Sequence, residues 1–242
     1  MQMVAITAIL FDKDGTLFDF HRSWGSWAAG ILDDLEARQA ADKAALATAL
    51  GFDVESGCFL PSSPAIAGTP GDVVRVMMPH LPQMRPNELA NWLIDAAEHA
   101  PMVPAVPLDP LMERLAARGL TLGVVTNDAE GPARAHLDGA GILARFDFVA
   151  GCDSGHGAKP DPGPLLAFAR ETGRGAGEVM MVGDSRHDLN AGRAAGMMTV
   201  GVLTGLARAE GLADLADAVL PDIGHLPALL DRLAGPAPGP SA

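Results

Sequence analysis

From Ile9 to Phe20 the chain reads ILFDKDGTLFDF. A continuous apolar run that starts at Ala5 ends at Phe11 and meets two like charges one residue apart, Asp12 and Asp14. The run does not alternate apolar with polar, so it predicts a strand covered on both faces, as in a parallel sheet flanked by helices. A fold that accepts it must bury the strand and still accommodate both carboxylates at its end. Residues i and i+2 of a strand point the same way. Asp12 and Asp14 are therefore neighbours if the extended geometry continues, and Gly15 and Thr16 let the chain turn.

Similar apolar runs recur at Leu120–Thr126, Phe146–Gly151, Val179–Val182, Thr199–Leu203 and, more briefly, Ala218–Leu220. Helical spacing of apolar residues separates them at Asp109–Arg118, Pro132–Leu143, Gly163–Thr172, Leu189–Ala195 and Leu226–Leu233. From about residue 105 onward helix and strand alternate. This predicts a doubly wound, mainly parallel, Rossmann-like α/β sheet with right-handed crossovers. Residues 20–100 interrupt that pattern. Trp24–Leu50 reads as a long helical stretch with a break near Ala40, and Pro86–Ala100 as another helix, with a Pro/Gly/Ser-rich segment at Pro61–Gly71 between them. The expected organisation is an α/β core of residues 1–19 and 105–234, a helical insertion with its linkers at 20–104, and a disordered tail at 235–242. The return linker PMVPAVP is stiffened by proline.

Ligands of open α/β sheets bind off the carboxyl ends of the strands. Two carboxylates there repel unless a proton or a cation intervenes, and a hard divalent cation with oxygen ligands, most simply Mg2+, resolves the conflict. The alternative, a turn merely capped by aspartates, is hard to reconcile with DxDGT after an apolar run. Three later runs also end in polar groups. VVTND places Thr126 and Asn127 at a strand end, where a hydroxyl and main-chain amides suit a phosphate oxygen, although Thr-Asn-Asp alone is also an ordinary turn or helix cap. GAKPDPGP sets Lys159 in a loop before a helix, and a lone loop lysine is usually solvated. VMMVGDSRHD carries Asp184 and Asp188, the latter also a candidate cap for a helix starting near Leu189. The order along the chain directs all of them to one edge of one sheet.

The stretches DKDGT, VVTN, AKP and GDSRHD, in that order, resemble the motifs of the haloacid dehalogenase-like superfamily, specifically its phosphatases, over about residues 5–234. The insertion between the first and second motifs is similar to the subgroup with an α-helical cap. DGTLFD is similar to the corresponding stretch of phosphoglycolate phosphatase-like members, with Phe20, His21, Arg22 and Ser23 following where many members have serine directly. The resemblance implies a phosphatase acting on a small phosphorylated metabolite. Asp12 is then the nucleophile, forming an aspartyl-phosphate, and Asp14 the general acid and base. Mg2+ is held by Asp12, the Asp14 main-chain carbonyl and Asp184, while Asp188 holds a metal-bound water or orients Lys159. Thr126, the Asn127 amide and Lys159 stabilise the transferring phosphoryl group. Arg22, near the cavity mouth, is expected to pair with a second anionic group of the substrate, against the simpler reading of a solvated arginine.

Asp14 favours phosphoryl chemistry, because family members that cleave carbon–halogen bonds do not use an acid there. A phosphomutase shares all four motifs and stays open. A phospho-acceptor module or a non-catalytic interaction protein on the same scaffold is the reading from another class. Receiver domains, however, are about half this length and carry their phosphorylated aspartate on a middle strand. No G-x4-G-K-[ST] exists to support a GTPase or kinase. Net charge of −13 argues against nucleic acid or an anionic membrane as partner. Two cysteines, Cys58 and Cys152, lie far apart and outside any metal-binding pattern, which suggests reduced thiols in a cytoplasmic protein. Met1–Phe11 lacks the basic start of a signal peptide. A monomer or homodimer is expected. His21, His136, His156 and His187 read as ordinary surface or loop residues, and Trp24 and Trp27 as core of the insertion.

Overall fold

The apolar run before Asp12 forms β1 (Ala8–Phe11), and all four residues are buried. Ile9 and Phe11 pack into one hydrophobic cluster and Ala8 and Leu10 into another, which is why the run is apolar throughout. The computed structural model describes residues 5–39 and 41–234. After β1 come α1 (Phe20–Gln39), α2 (Lys43–Leu50), β2 (Phe52–Asp53), β3 (Cys58–Phe59), α3 (Pro70–Met77) and α4 (Pro86–Glu98). Then follow α5 (Leu108–Ala116), β4 (Thr121–Val125), α6 (Glu130–Gly139), β5 (Phe148–Ala150), α7 (Gly163–Thr172) and β6 (Val179–Gly183). The chain continues through α8 (Arg186–Ala195), β7 (Met198–Val202), α9 (Ala209–Leu212), β8 (Ala218–Leu220) and α10 (Leu226–Leu233).

Six strands form one parallel sheet in the order β5-β4-β1-β6-β7-β8. From β1 the chain steps outward through β4 and β5, then crosses to β6 on the other side. The strand order therefore reverses between β1 and β6, and the crevice at such a switch point is where an open α/β sheet binds its ligand. The register sets Phe11 beside both Val124 and Val182. The residues that leave these three strands, Asp12, Thr126 and Asp184, consequently emerge at one level.

The predicted α/β class with a helical insertion is the observed one, and differences lie at element ends. α6 stops at Gly139, sooner than expected, and the chain leaves through Gly141 at φ 71°. α8 starts three residues early because Ser185, not Asp188, is its N-cap. Asp188 is the reciprocal partner, accepting from the Ser185 N–H at 3.0 Å and hydroxyl at 2.7 Å. In the insertion, α3 and the small antiparallel pair β2–β3 went unread. α3 begins with a Thr69/Asp72 capping box and Pro70 in its first turn, a signal present in the sequence. The helical stretch 24–50 is divided by Asp42, whose carboxylate accepts from the Ala44 and Ala45 N–H groups. The tail 235–242 and Ala40 lie outside the described residues. No described helix is long and apolar enough to cross a membrane.

The insertion has a hydrophobic cluster of its own, built around residues such as Leu32, Leu46, Leu50, Met77 and Leu89. Its two connections run side by side: Asp19 N–H donates to Val103 O, Ala105 N–H to Leu17 O, and Val103 N–H to the buried Ser23 hydroxyl.

Candidate active site

The chain leaves β1 with Asp12 N–H still donating to Val182 O at 2.8 Å, which extends the sheet register into the site. It then turns at once, with the Leu17 and Phe18 N–H groups donating to Lys13 O and Gly15 N–H to Phe18 O. Gly15 is demanded twice. Its φ is +85°, and a Cβ there would fall 2.6 Å from the Asp184 carboxylate. The turn ends the i, i+2 relation expected of Asp12 and Asp14. Both line the same cavity, yet their carboxylates belong to two separate networks.

In the first network Lys159 is the hub. Its buried ammonium spends its three donors on Asp12 Oδ1 at 2.5 Å, Asp188 Oδ1 at 2.7 Å and Val125 O at 2.9 Å. Burial works against its charged form, but the Asp12 and Asp188 carboxylates outweigh that and raise its pKa. Asn127 fixes the Lys159 loop by both main-chain groups, accepting from Lys159 N–H and donating to Lys159 O, each at 2.8 Å. Its amide also donates to Ala67 O of the helical insertion at 2.8 Å. Thr126, buried beside it, accepts from Asp128 N–H through its hydroxyl at 3.1 Å.

Asp12, Asp184 and Asp188 bring carboxylate oxygens within 4.8 Å of one another, all buried. With Lys159 as their one neighbouring cation among the described residues, three ionised and buried carboxylates carry a net charge of −2. Burial first, then the neighbouring carboxylates, raises Asp12 to about 7 against the pull of Lys159, and raises Asp184 well above the usual carboxylate range. A hard divalent cation matches this set by charge and by donor chemistry. The Asp14 carboxylate is not one of the three.

The second network was not legible in the sequence. Lys13, between the two aspartates, is fully buried. Its ammonium meets Asp14 at 2.9 Å, Asp128 at 3.1 Å and His136 Nδ1 at 3.0 Å. Trp24 of α1 donates its indole N–H to Asp14 Oδ1 at 2.8 Å. His136, expected at the surface, is buried, and its Nε2 lies 2.7 Å from Ala97 O. Lysine can only donate, so Nδ1 accepts and Nε2 carries the proton, which makes the ring neutral. Burial, then the Lys13 charge, lowers its pKa to about 4. Trp24, read as core of the insertion, thus also orients Asp14. Asp128 and His136 lie 115 and 123 residues from Lys13, and nothing local marks them.

Arg22 corrects an expectation. It is exposed and absent from the cavity wall. Phe20, Trp24 and Trp27 face the cavity at helical spacing, and a residue two positions after Phe20 falls on the far side of α1. The cavity lies between the strand ends below and the helical insertion above, and is partly open to solvent.

A family model described as haloacid dehalogenase-like hydrolase matches residues 6–196. A phosphoglycolate phosphatase of Rhodospirillum rubrum is 41% identical over 152 residues, 62% of this chain, and the chain spans only 61% of that relative's length. A phosphoglycolate phosphatase of Yersinia pseudotuberculosis is 30% identical over 94% of this chain and 97% of its own. Among solved structures, a predicted phosphoglycolate phosphatase from Haemophilus somnus superposes with a TM-score of 0.71 at 20% identity, over 93% of this chain and 98% of the other.

Proposed function

The chain belongs to the haloacid dehalogenase-like hydrolases, and from that premise we propose that it is an Mg2+-dependent phosphatase of small phosphorylated metabolites that works through an aspartyl-phosphate. The observation that carries this reading is the Asp12 carboxylate, held by Lys159 at the switch point of the sheet and opening into the cavity. The relatives named phosphoglycolate phosphatase support the same class of ester.

An Asp12 oxygen attacks phosphorus, and the bond from phosphorus to the alcohol oxygen breaks. Asp14 gives the departing oxygen its proton. Trp24 and Lys13 hold the Asp14 carboxylate in place for this step. Asp14 then takes a proton from the water that attacks the aspartyl-phosphate, releasing inorganic phosphate and restoring Asp12. Lys159, the Thr126 hydroxyl and the Asn127 main-chain amide donate to the phosphoryl oxygens as charge gathers on them. One acceptor of Lys159 must yield to a phosphoryl oxygen, because all three donors are engaged in the resting site. Asp188 keeps Lys159 aimed and is itself fixed by Ser185. Asp12, Asp184 and the Asp14 main-chain carbonyl, with Asp188 beside them, would hold Mg2+, which supplies charge neutralisation between nucleophile and phosphate. Residues 20–104 act as a cap that excludes water from this chemistry.

The test is acid quenching during turnover of p-nitrophenyl phosphate with Mg2+, followed by mass spectrometry of the peptide containing Asp12. A phosphorylated Asp12, lost in Asp12→Asn together with phosphate release, is the expected result. Phosphate release that survives Asp12→Asn would overturn the mechanism.

A further inference from the structure

The floor of the cavity accounts for a phosphate; its roof describes what the phosphate is attached to. The cap contributes Phe20, Trp27, Phe59, Ile66, Val73 and Ile94, among others, and no lysine or arginine. The basic residues of the cap are Arg22, Arg38, Lys43, Arg75 and Arg85. All but Lys43 are exposed, Lys43 pairs with Asp33, and none of the five lines the cavity. On the floor the lining lysine is Lys159, committed to the carboxylates and the phosphoryl group. His187 lies exposed at the rim on the core side. A carboxylate on the substrate would therefore leave water for an aromatic and aliphatic wall while facing a floor rich in aspartates. An unpaired charge in such surroundings is strongly disfavoured.

We infer that the substrate is a phosphate monoester of an uncharged, largely apolar alcohol, whose aryl or branched aliphatic body packs under the cap. This rests on the phosphatase reading above. It departs from phosphoglycolate, whose alcohol part is a short carboxylate. Thr69 also lines the roof, with its hydroxyl paired to Asp72. Of the buried side-chain polar atoms without a partner among the described residues, only Trp27 Nε1 belongs to a residue of the cavity wall. Trp27 stands edge-on to Trp24, with ring centroids 5.1 Å apart, so its neighbour fixes its plane. That N–H is closed off from solvent, so Trp27 offers the substrate its ring and no donor.

The experiment compares kcat/KM for three esters with the full chain in Mg2+: cyclohexylmethyl phosphate, phosphoglycolate and p-nitrophenyl phosphate. The apolar alkyl ester should exceed phosphoglycolate by about tenfold or more. A preference for phosphoglycolate, or equal turnover of both, with p-nitrophenyl phosphate hydrolysed in an Asp12-dependent way, overturns the substrate class and leaves the phosphatase reading intact. No Asp12-dependent turnover of any ester overturns the phosphatase reading itself. Ile94→Arg, which sets a cation in the roof, should lower turnover of the apolar ester and raise that of phosphoglycolate. The wild-type comparison decides the matter alone if that variant does not fold.

Discussion

The floor and the roof of the cavity are built on opposite principles. On the floor, buried charges are packed together and both buried lysines are fully engaged. Lys159 spends all three donors on two carboxylates and a carbonyl, and Lys13 is shared among Asp14, Asp128 and His136. The roof presents aromatic and aliphatic surface, with Trp24 and Trp27 edge to face and Phe20 and Phe59 in the same arrangement at 5.6 Å. The floor hangs on strand ends whose register is fixed by neighbouring strands, whereas the roof is carried by helices with a core of their own. A rigid polar floor can preserve one reaction while an apolar roof on a separate core changes the molecule that presents the phosphate. Hydrogen bonds from Asn127 to Ala67, between His136 and Ala97 and from Trp24 to Asp14 help to join them.

If the floor holds the chemistry, the largest effect belongs to Asp12. Asp12→Asn, or exhaustive chelation of Mg2+ from the wild type, should reduce phosphate release by on the order of 10³-fold or more. Full activity in either case would break the distinction at its root. Asp14→Asn comes next. It should slow an alkyl ester by about 100-fold, the range for a lost general acid–base, and slow p-nitrophenyl phosphate less, because that leaving group needs little protonation. Equal slowing of both would assign Asp14 to positioning alone.

Trp24 tests the boundary, since its ring belongs to the roof and its N–H serves the floor. Trp24→Phe keeps most of the apolar surface and removes the hydrogen bond to Asp14. A hydrogen bond to a charged group contributes about 1.5–3 kcal/mol, so turnover of an alkyl ester should fall by about tenfold or more, with KM little changed. A rise in KM at constant kcat would place Trp24 wholly in the roof.

The junction at His136 has a pH signature in stability rather than rate. Its folded pKa is lowered to about 4, while the unfolded chain takes up that proton near the ordinary value of about 6.5. Its contribution is therefore complete above about pH 6.5 and is lost as pH falls toward 4. The carboxylates raised by burial titrate with the opposite sign, so the informative quantity is the difference between wild type and His136→Gln. Denaturant midpoints at pH 7 and pH 5 should show that difference shrinking at the lower pH. A constant difference would mean that the ring is not buried neutral between Lys13 and Ala97. The smallest effect is expected at Arg22. It lies outside the cavity, so Arg22→Ala should leave kcat and KM within about twofold for every ester. A selective rise in KM for phosphoglycolate would bring back the second-anion role that the orientation of α1 removes.

The sequence by itself determined the sheet and the constituents of its polar edge. An apolar run buried on both faces is unambiguous when it ends in charges, and Asp12, Thr126, Lys159, Asp184 and Asp188 could be read because each leaves a strand or the loop after one. That rule is local: the direction of a parallel strand decides which end its polar residues occupy. The limit of that reading is Asp14, since the i, i+2 relation stops where the strand stops, and the turn at Gly15 sends its carboxylate to Lys13 and Trp24. Only the tertiary structure paired Lys13 with Asp128 and His136, because a buried ammonium finds its acceptors by proximity across more than a hundred residues. Only the tertiary structure turned Arg22 outward and Phe20, Trp24 and Trp27 inward. A helix places side chains by its phase, and that phase is set by what the cap packs against rather than by distance along the chain from Asp14.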